Sequence, residues 1–176
     1  MPSSPRRGVA ALALALAACH RSDRAADRGR GTDAPVAPAC PPLAVTIDGA
    51  ARTDLSGLAV TLVNGVYQTE QVMLFAGAPI DCAAVLAPGF QLPAGAIELR
   101  AYYHPQAQGL GTEAHTELIV PGVTLIHKAA APGAATRLCV RPARFTPTAG
   151  ALAGRVVTIA GTVAGADCGP LDLTPR

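Results

Sequence analysis

The chain has 176 residues, a mean hydropathy of +0.33 and a formal net charge of +2. Half of its residues are hydrophobic by count, but only 3% are aromatic, and 18 Gly with 16 Pro cut it into short pieces. That composition excludes a coiled coil and a polytopic membrane protein, whose spans need roughly 18 or more consecutive apolar residues.

Residues 1–19 read MPSSPRRGVAALALALAAC. Arg6 and Arg7 supply a positive start, and Val9 to Ala18 form an apolar stretch that suits the core of a signal peptide and is too short to span a bilayer. The stretch closes on Leu16-Ala17-Ala18-Cys19, which resembles the lipobox of bacterial lipoproteins. The resemblance implies a diacylglyceryl group on the Cys19 sulfur, removal of residues 1–18, and Cys19 as the first residue of the mature chain. Several acyl chains anchor stably, because each buried methylene contributes about 0.8 kcal/mol. His20 follows the cysteine where an Asp would favour inner-membrane retention, so the same family analogy implies an outer-membrane lipoprotein, facing the periplasm or the surface. The alternative is an ordinary secretory signal followed by a coincidental cysteine, which gives a secreted protein.

Residues 19–39 are expected to be the lipidated cysteine and a disordered tether. The segment HRSDRAADRGRGTDAPVAPA mixes Arg and Asp with no large apolar residue except Val36, so it cannot bury enough surface to offset its ordering entropy. Residues 1–39 carry net +3 and residues 40–176 net −1. The excess positive charge therefore belongs to the leader and tether. With Lys128 its only lysine, the domain lacks the basic, aromatic-rich face of a nucleic-acid binder.

Residues 40–176 suit one domain, and period-two alternation recurs along them. Leu43, Val45 and Ile47 alternate with Ala44, Thr46 and Asp48, then Asp48-Gly49 signals a turn. Leu58, Val60 and Leu62 form the expected core side of the next strand. Asn64-Gly65 signals a hairpin, with a bulge near Tyr67 to Thr69 expected to bring Val72 and Leu74 inward. A helical turn is expected at Asp81 to Leu86. Further strands are expected at 96–103, 115–120, 123–127, 137–141 and 155–163, separated by Pro and Gly. About eight short strands point to an all-β domain, a single β-sandwich of Greek-key or Ig-like connection, with a small β-barrel as the alternative.

Setting Cys19 aside leaves Cys40, Cys82, Cys139 and Cys168, an even number that in an exported chain implies two disulfides. Spacing leaves all three connectivities open. Leu138 and Val140 should face the core, which puts Cys139 on the outward side with Arg137 and Arg141. Its partner is then expected on a chain end or a loop crossing the sheet. No C-x-x-C pair supports zinc.

Catalytic signatures are missing. Ser56 is the only serine of the domain and lies outside any G-x-S-x-G, and neither P-loop nor dinucleotide motifs occur. The cluster Glu113-Ala114-His115-Thr116-Glu117 is the one candidate for chemistry. On a strand, Glu113, His115 and Glu117 would share a face and could hold a metal if His104 or His127 converged on them. The plainer account is a solvated strand face. The expectation is a membrane-anchored, non-enzymatic envelope lipoprotein that needs no cofactor and contacts an envelope protein or extracellular ligand, with metal binding or metal-dependent catalysis as the alternative. The domain is broadly similar to the small, cysteine-containing β-sandwich lipoproteins of bacteria, a resemblance of class that carries no site residues.

Overall fold

A computed structural model describes residues 39–112, 115–119 and 122–173, with side chains of residues 113–121 outside the description. The expected signal peptide, Cys19 and the tether lie outside the described residues.

Turn residues fall where the chain direction reverses. Strand β1 (Ala44–Ile47) returns through Asp48-Gly49 to the two-residue β2 (Ala50–Ala51). Asp48 has φ of 51°, a left-handed value that aspartate tolerates better than most residues. Strands β3 (Ser56–Asn64) and β4 (Tyr67–Ala76) form a regular hairpin, with Asn64 opposite Tyr67 and no bulge. The turn is Gly65-Val66, with glycine at the first central position and φ of 59°. This corrects the expected bulge near Tyr67: moving the turn one residue onward shifts the register by two and removes the need for one.

The shift also reassigns a face. Val72 and Leu74 do point into the main core, but their partners there are Ala59 and Gly57. Val60 and Leu58, expected in that core, lie opposite Gln71 and Met73 on the other side of the sheet. Strand β4 is therefore apolar on both faces, as its run Val72-Met73-Leu74-Phe75-Ala76 requires.

Helix α1 (Cys82–Leu86) forms where expected, with the Asp81 carboxylate accepting from the Ala84 N–H at 2.8 Å. Strands β5 (Ile97–His104), β6 (Ala107–Thr112), β7 (His115–Ile119), β8 (Val123–His127) and β9 (Ala135–Phe145) follow. A short 3-10 turn, Gly150–Leu152, precedes β10 (Val157–Asp172). The sequence did not signal β6, because Gly109 and Gly111 depress strand propensity. Those glycines have a use: a Cβ on Gly109 would sit 2.3 Å from the Tyr102 hydroxyl, so the bare backbone lets the Tyr102 ring lie across β6.

The ten strands among the described residues join one sheet, and β10 is its spine. Its first part pairs antiparallel with β1 and β9, and its last part runs parallel to β3. From β3 the sheet continues through β4, β5 and β6 to β7, while β8 pairs with β9 on the opposite side. The architecture is all-β, as expected, in the form of a sheet curled into a half-barrel. Inside the curl, Val72, Leu74, Leu99 and Leu110 share a core with Val123, Leu138, Val140 and Val163. Glu70 reaches across the open side of this core, accepting from Thr61 Oγ1 at 2.9 Å and from Lys128 Nζ at 2.5 Å.

Disulfide bonds join Cys40 to Cys139 and Cys82 to Cys168. Cys139 has its expected kind of partner, since Cys40 precedes β1 in the segment that crosses β10 through the Pro42–Thr162 bridge. Leu138 and Val140 are buried on the core side, and Arg137 and Arg141 are exposed.

Candidate functional site

Strands β3 to β6 carry a second face, turned away from the core. Register places Leu58, Val60 and Leu62 of β3 beside Gln71, Met73 and Phe75 of β4. Glu98, Arg100 and Tyr102 of β5 follow, and Gly109 and Gly111 of β6 close the row. So much apolar surface cannot stay in water without cost, and residues 77–96 cover part of it. Ile80, Val85, Leu86, Phe90 and Leu92 from this excursion pack on Val60, Met73 and Phe75. The Cys82–Cys168 bond ties the excursion to β10.

The cover is incomplete. Between the excursion and the end of β10 lies a cavity of about 530 Å3. Val60, Leu62, Met73, Val85, Leu86 and Phe90 supply its apolar wall, with Leu171 and Leu173 at one side. Gln71 and Arg100 are its polar groups on the sheet, and Asp172 adds a carboxylate at the β10 end. Arg100 is held in place by neighbours. Its Nε and Nη2 donate to Glu98 Oε1 at 2.7 and 2.5 Å. With its amide oxygen turned to the guanidinium, Gln71 accepts from Nε at 2.8 Å and Nη1 at 3.2 Å. Glu98 is only 3% exposed, so the guanidinium supplies the charge its carboxylate needs in order to be buried.

Along the same face, past Tyr102, a shallower depression of about 240 Å3 lies among Tyr67, Thr69, Tyr102, His104 and Ala107. The Tyr67 and His104 rings meet edge to face with centroids 5.9 Å apart. His104 Nδ1 accepts from the Gln106 N–H at 3.1 Å, which occupies one of its two possible metal-binding nitrogens.

The candidate metal residues are only partly described. Glu113 lies outside the described residues, as do the side chains of His115 and Glu117. The backbone of β7 pairs Thr116 with Gly111 and Leu118 with Leu110, so a register shift falls at Glu117 and interrupts the strict alternation behind the shared-face expectation. Among the described residues, no group of three or more His, Cys, Asp or Glu is placed to hold a metal ion. Ser56 Oγ donates to the Phe75 carbonyl at 3.4 Å, a strand-edge contact. No described helix is long and apolar enough to cross a membrane.

The cavity went unnoticed at the level of sequence. Its signal was the run from Val72 to Ala76, which marks a strand buried on both faces, beside Glu98-Leu99-Arg100, where charges alternate with core residues. No family model matches the chain, and no curated protein or solved structure matches it.

Proposed function

We propose that the protein is a membrane-anchored lipoprotein of the cell envelope whose β domain is a non-enzymatic binding module. The observation that carries this reading is the cysteine pairing. All four cysteines of the domain are consumed by two disulfides that close loops of 99 and 86 residues in sequence separation. Such bonds persist in oxidising compartments. Cys19 is left as the odd cysteine of the chain, and it stands at the end of the lipobox-like Leu16-Ala17-Ala18-Cys19. His20 supports outer-membrane placement by the family analogy given above.

Within this reading the curled sheet works as a sandwich. The β3–β6 arm is one layer and the β8–β9–β10 arm the other, with the core between them and the binding face on the outside of the first layer.

Anchoring is tested by Cys19→Ser in the native host. The variant is expected to move from the membrane fraction to the soluble fraction, and mass analysis of the wild-type N-terminal peptide should find acyl chains on Cys19. Continued membrane partition of the variant, or an unmodified Cys19, overturns the anchor.

A further inference from the structure

We propose that the outward face of β9 docks on a phospholipid surface with anionic headgroups, so that the anchored domain lies with its β8–β9–β10 layer against the membrane and its cavity-bearing layer turned away. This inference rests on the anchor half of the function proposed above and deepens it.

Unmatched charge marks the face. Among the described arginine and lysine residues, Arg52 is paired with Asp54, Arg100 with Glu98, Lys128 with Glu70 and Arg155 with Asp48. Arg137, Arg141 and Arg144 are the described ones in no ion pair, and all three are exposed on β9. Leu138 and Val140 point into the core, so Arg137 and Arg141 project outward. A register shift against β10 between Ile159 and Gly161 then leaves Ala143 and Phe145 facing inward and Arg144 outward. The residues registered opposite Arg137 and Arg144 bring no carboxylate: they are Ala164 and Thr158 on β10, and His127 on β8. Residues 40–176 carry net −1 in all, so these cations are gathered on one face rather than spread as a general excess.

Connectivity brings the anchor to the same face. Cys139 lies midway between Arg137 and Arg141 on the outward side, and its disulfide partner Cys40 is where the chain from Cys19 enters the domain. Thr162, registered opposite Cys139, donates from Oγ1 to the Cys40 carbonyl at 3.4 Å, so the entry point is held over β9 and β10 by two bonds. An acylated Cys19 is therefore joined to the domain among its unpaired arginines. The chain from residue 19 to residue 40 spans at most about 75 Å, which keeps the headgroups at a high effective concentration around the domain. A leaflet bearing phosphate then selects the arginine face, because a guanidinium presents forked donors that match phosphate oxygens. Each basic side chain near an anionic membrane surface strengthens binding about fivefold, so three together give about a hundredfold.

The test uses the full, oxidised chain with Cys19, its odd thiol, coupled to a maleimide-bearing lipid in nanodiscs, so that tethering is imposed whether or not the cell acylates it. A lipid with a gadolinium-bearing headgroup reports which backbone amides lie near the leaflet. Nanodiscs of phosphatidylcholine alone are compared with equal parts of phosphatidylcholine and phosphatidylglycerol. In the mixed bilayer the amides of β9, with Thr124 and Thr162 beside it, should be strongly relaxed and those of β4 and β5 weakly; in phosphatidylcholine alone the contrast should vanish. Arg141→Gln should lower the ratio of docked to free domain about fivefold, and Arg137→Gln, Arg141→Gln and Arg144→Gln together about a hundredfold. Salt at about 1 M, which screens charges beyond roughly 3 Å, should release the wild-type domain. The three positions are exposed, and an unchanged amide spectrum away from β9 shows that the fold is kept. Docking through β4 and β5, equal docking on both bilayers, or a triple variant that docks like wild type overturns the proposal. So does a domain that stays off both bilayers, the outcome expected if an acidic protein or a second copy covers this face. Acylation of Cys19 is read separately by mass in the host, so failure of docking and failure of the anchor are distinguished.

Discussion

The two faces of the β3–β6 arm are built from the same strands and finished differently. The inner face is closed by the protein's own strands: Leu99 and Leu110 meet Leu138 and Val163, all with exposure of 1% or less. The outer face is closed by a 20-residue excursion with a single short helix, so its cluster is smaller and stops short of Arg100. Strand-on-strand packing fills space continuously because side chains of neighbouring strands interdigitate at a fixed spacing. A loop covering a sheet has no such regularity, and the gap it leaves is the cavity. In this molecule the strand-packed face is filled and the loop-covered one keeps a cavity.

The disulfides give the largest expected effects, and they test this division directly. In the chain-entropy account, a cross-link closing a loop near 100 residues contributes about 4–5 kcal/mol. Replacing Cys40 and Cys139 together by Ser, or Cys82 and Cys168 together, should therefore lower unfolding free energy by similar amounts, read from urea midpoints. The two variants should part company in the native state. Only loss of Cys82–Cys168 frees the cover from β10, so only that variant should gain binding of an environment-sensitive apolar dye. Equal dye binding by both would show that the outer face is not a separately closed region.

Side-chain truncation sharpens the comparison at a smaller scale. Leu138→Ala leaves a hole among strands that cannot collapse, with an expected cost of about 3 kcal/mol. Leu86→Ala, half-buried beside a cavity that already exists, should cost about 1 kcal/mol, close to the transfer term alone. Comparable losses at the two sites would mean the outer cluster is as tightly packed as the core.

Much of this was legible in the chain. The strand at 123–127 and the helical turn after Asp81 fall where expected, and alternation around Cys139 anticipated the kind of partner it has. One error comes from the assumption that each strand has a single apolar face. It put Leu58 and Val60 in the wrong layer and hid a two-faced sheet. Strand β6 was missed because the argument for Gly109 sits on another strand, in the ring of Tyr102. The length of β10 was missed for a related reason. Its small residues read as loop locally, and its pairing with β1, β9 and β3 is non-local. The Arg100–Gln71–Glu98 group could not be read at all, since it needs the register between β4 and β5.

The smallest expected effect concerns neither face and serves as their common baseline. Asp48, in the β1–β2 turn, accepts from Arg155 Nε and from the Val156 N–H, both at 2.8 Å. The Arg155 hydrogen bond, followed by that from Val156, holds its carboxyl below the usual carboxylate value. A group whose pKa is lower when folded stabilises the fold above its unfolded pKa of about 3.9, and that contribution fades as pH falls through the lower, folded value. Asp54 behaves alike through its hydrogen bond from Arg52, so it supplies an acid-sensitive background that substitution at Asp48 leaves in place. Asp48→Asn keeps an acceptor and tolerates the left-handed backbone, which isolates the charge. Its urea midpoint should lie slightly below that of wild type near neutrality, and the gap should shrink as pH falls below the unfolded value of about 3.9 and through the lowered folded value of the carboxyl. High salt should narrow the gap as well, because the pair is exposed and screened. A gap that persists unchanged in acid would mean that Asp48 acts through turn geometry alone. If instead dye binding at the outer face rose in step with the loss, β1 and the cover would be coupled through β10, and the two faces could no longer be treated as independent.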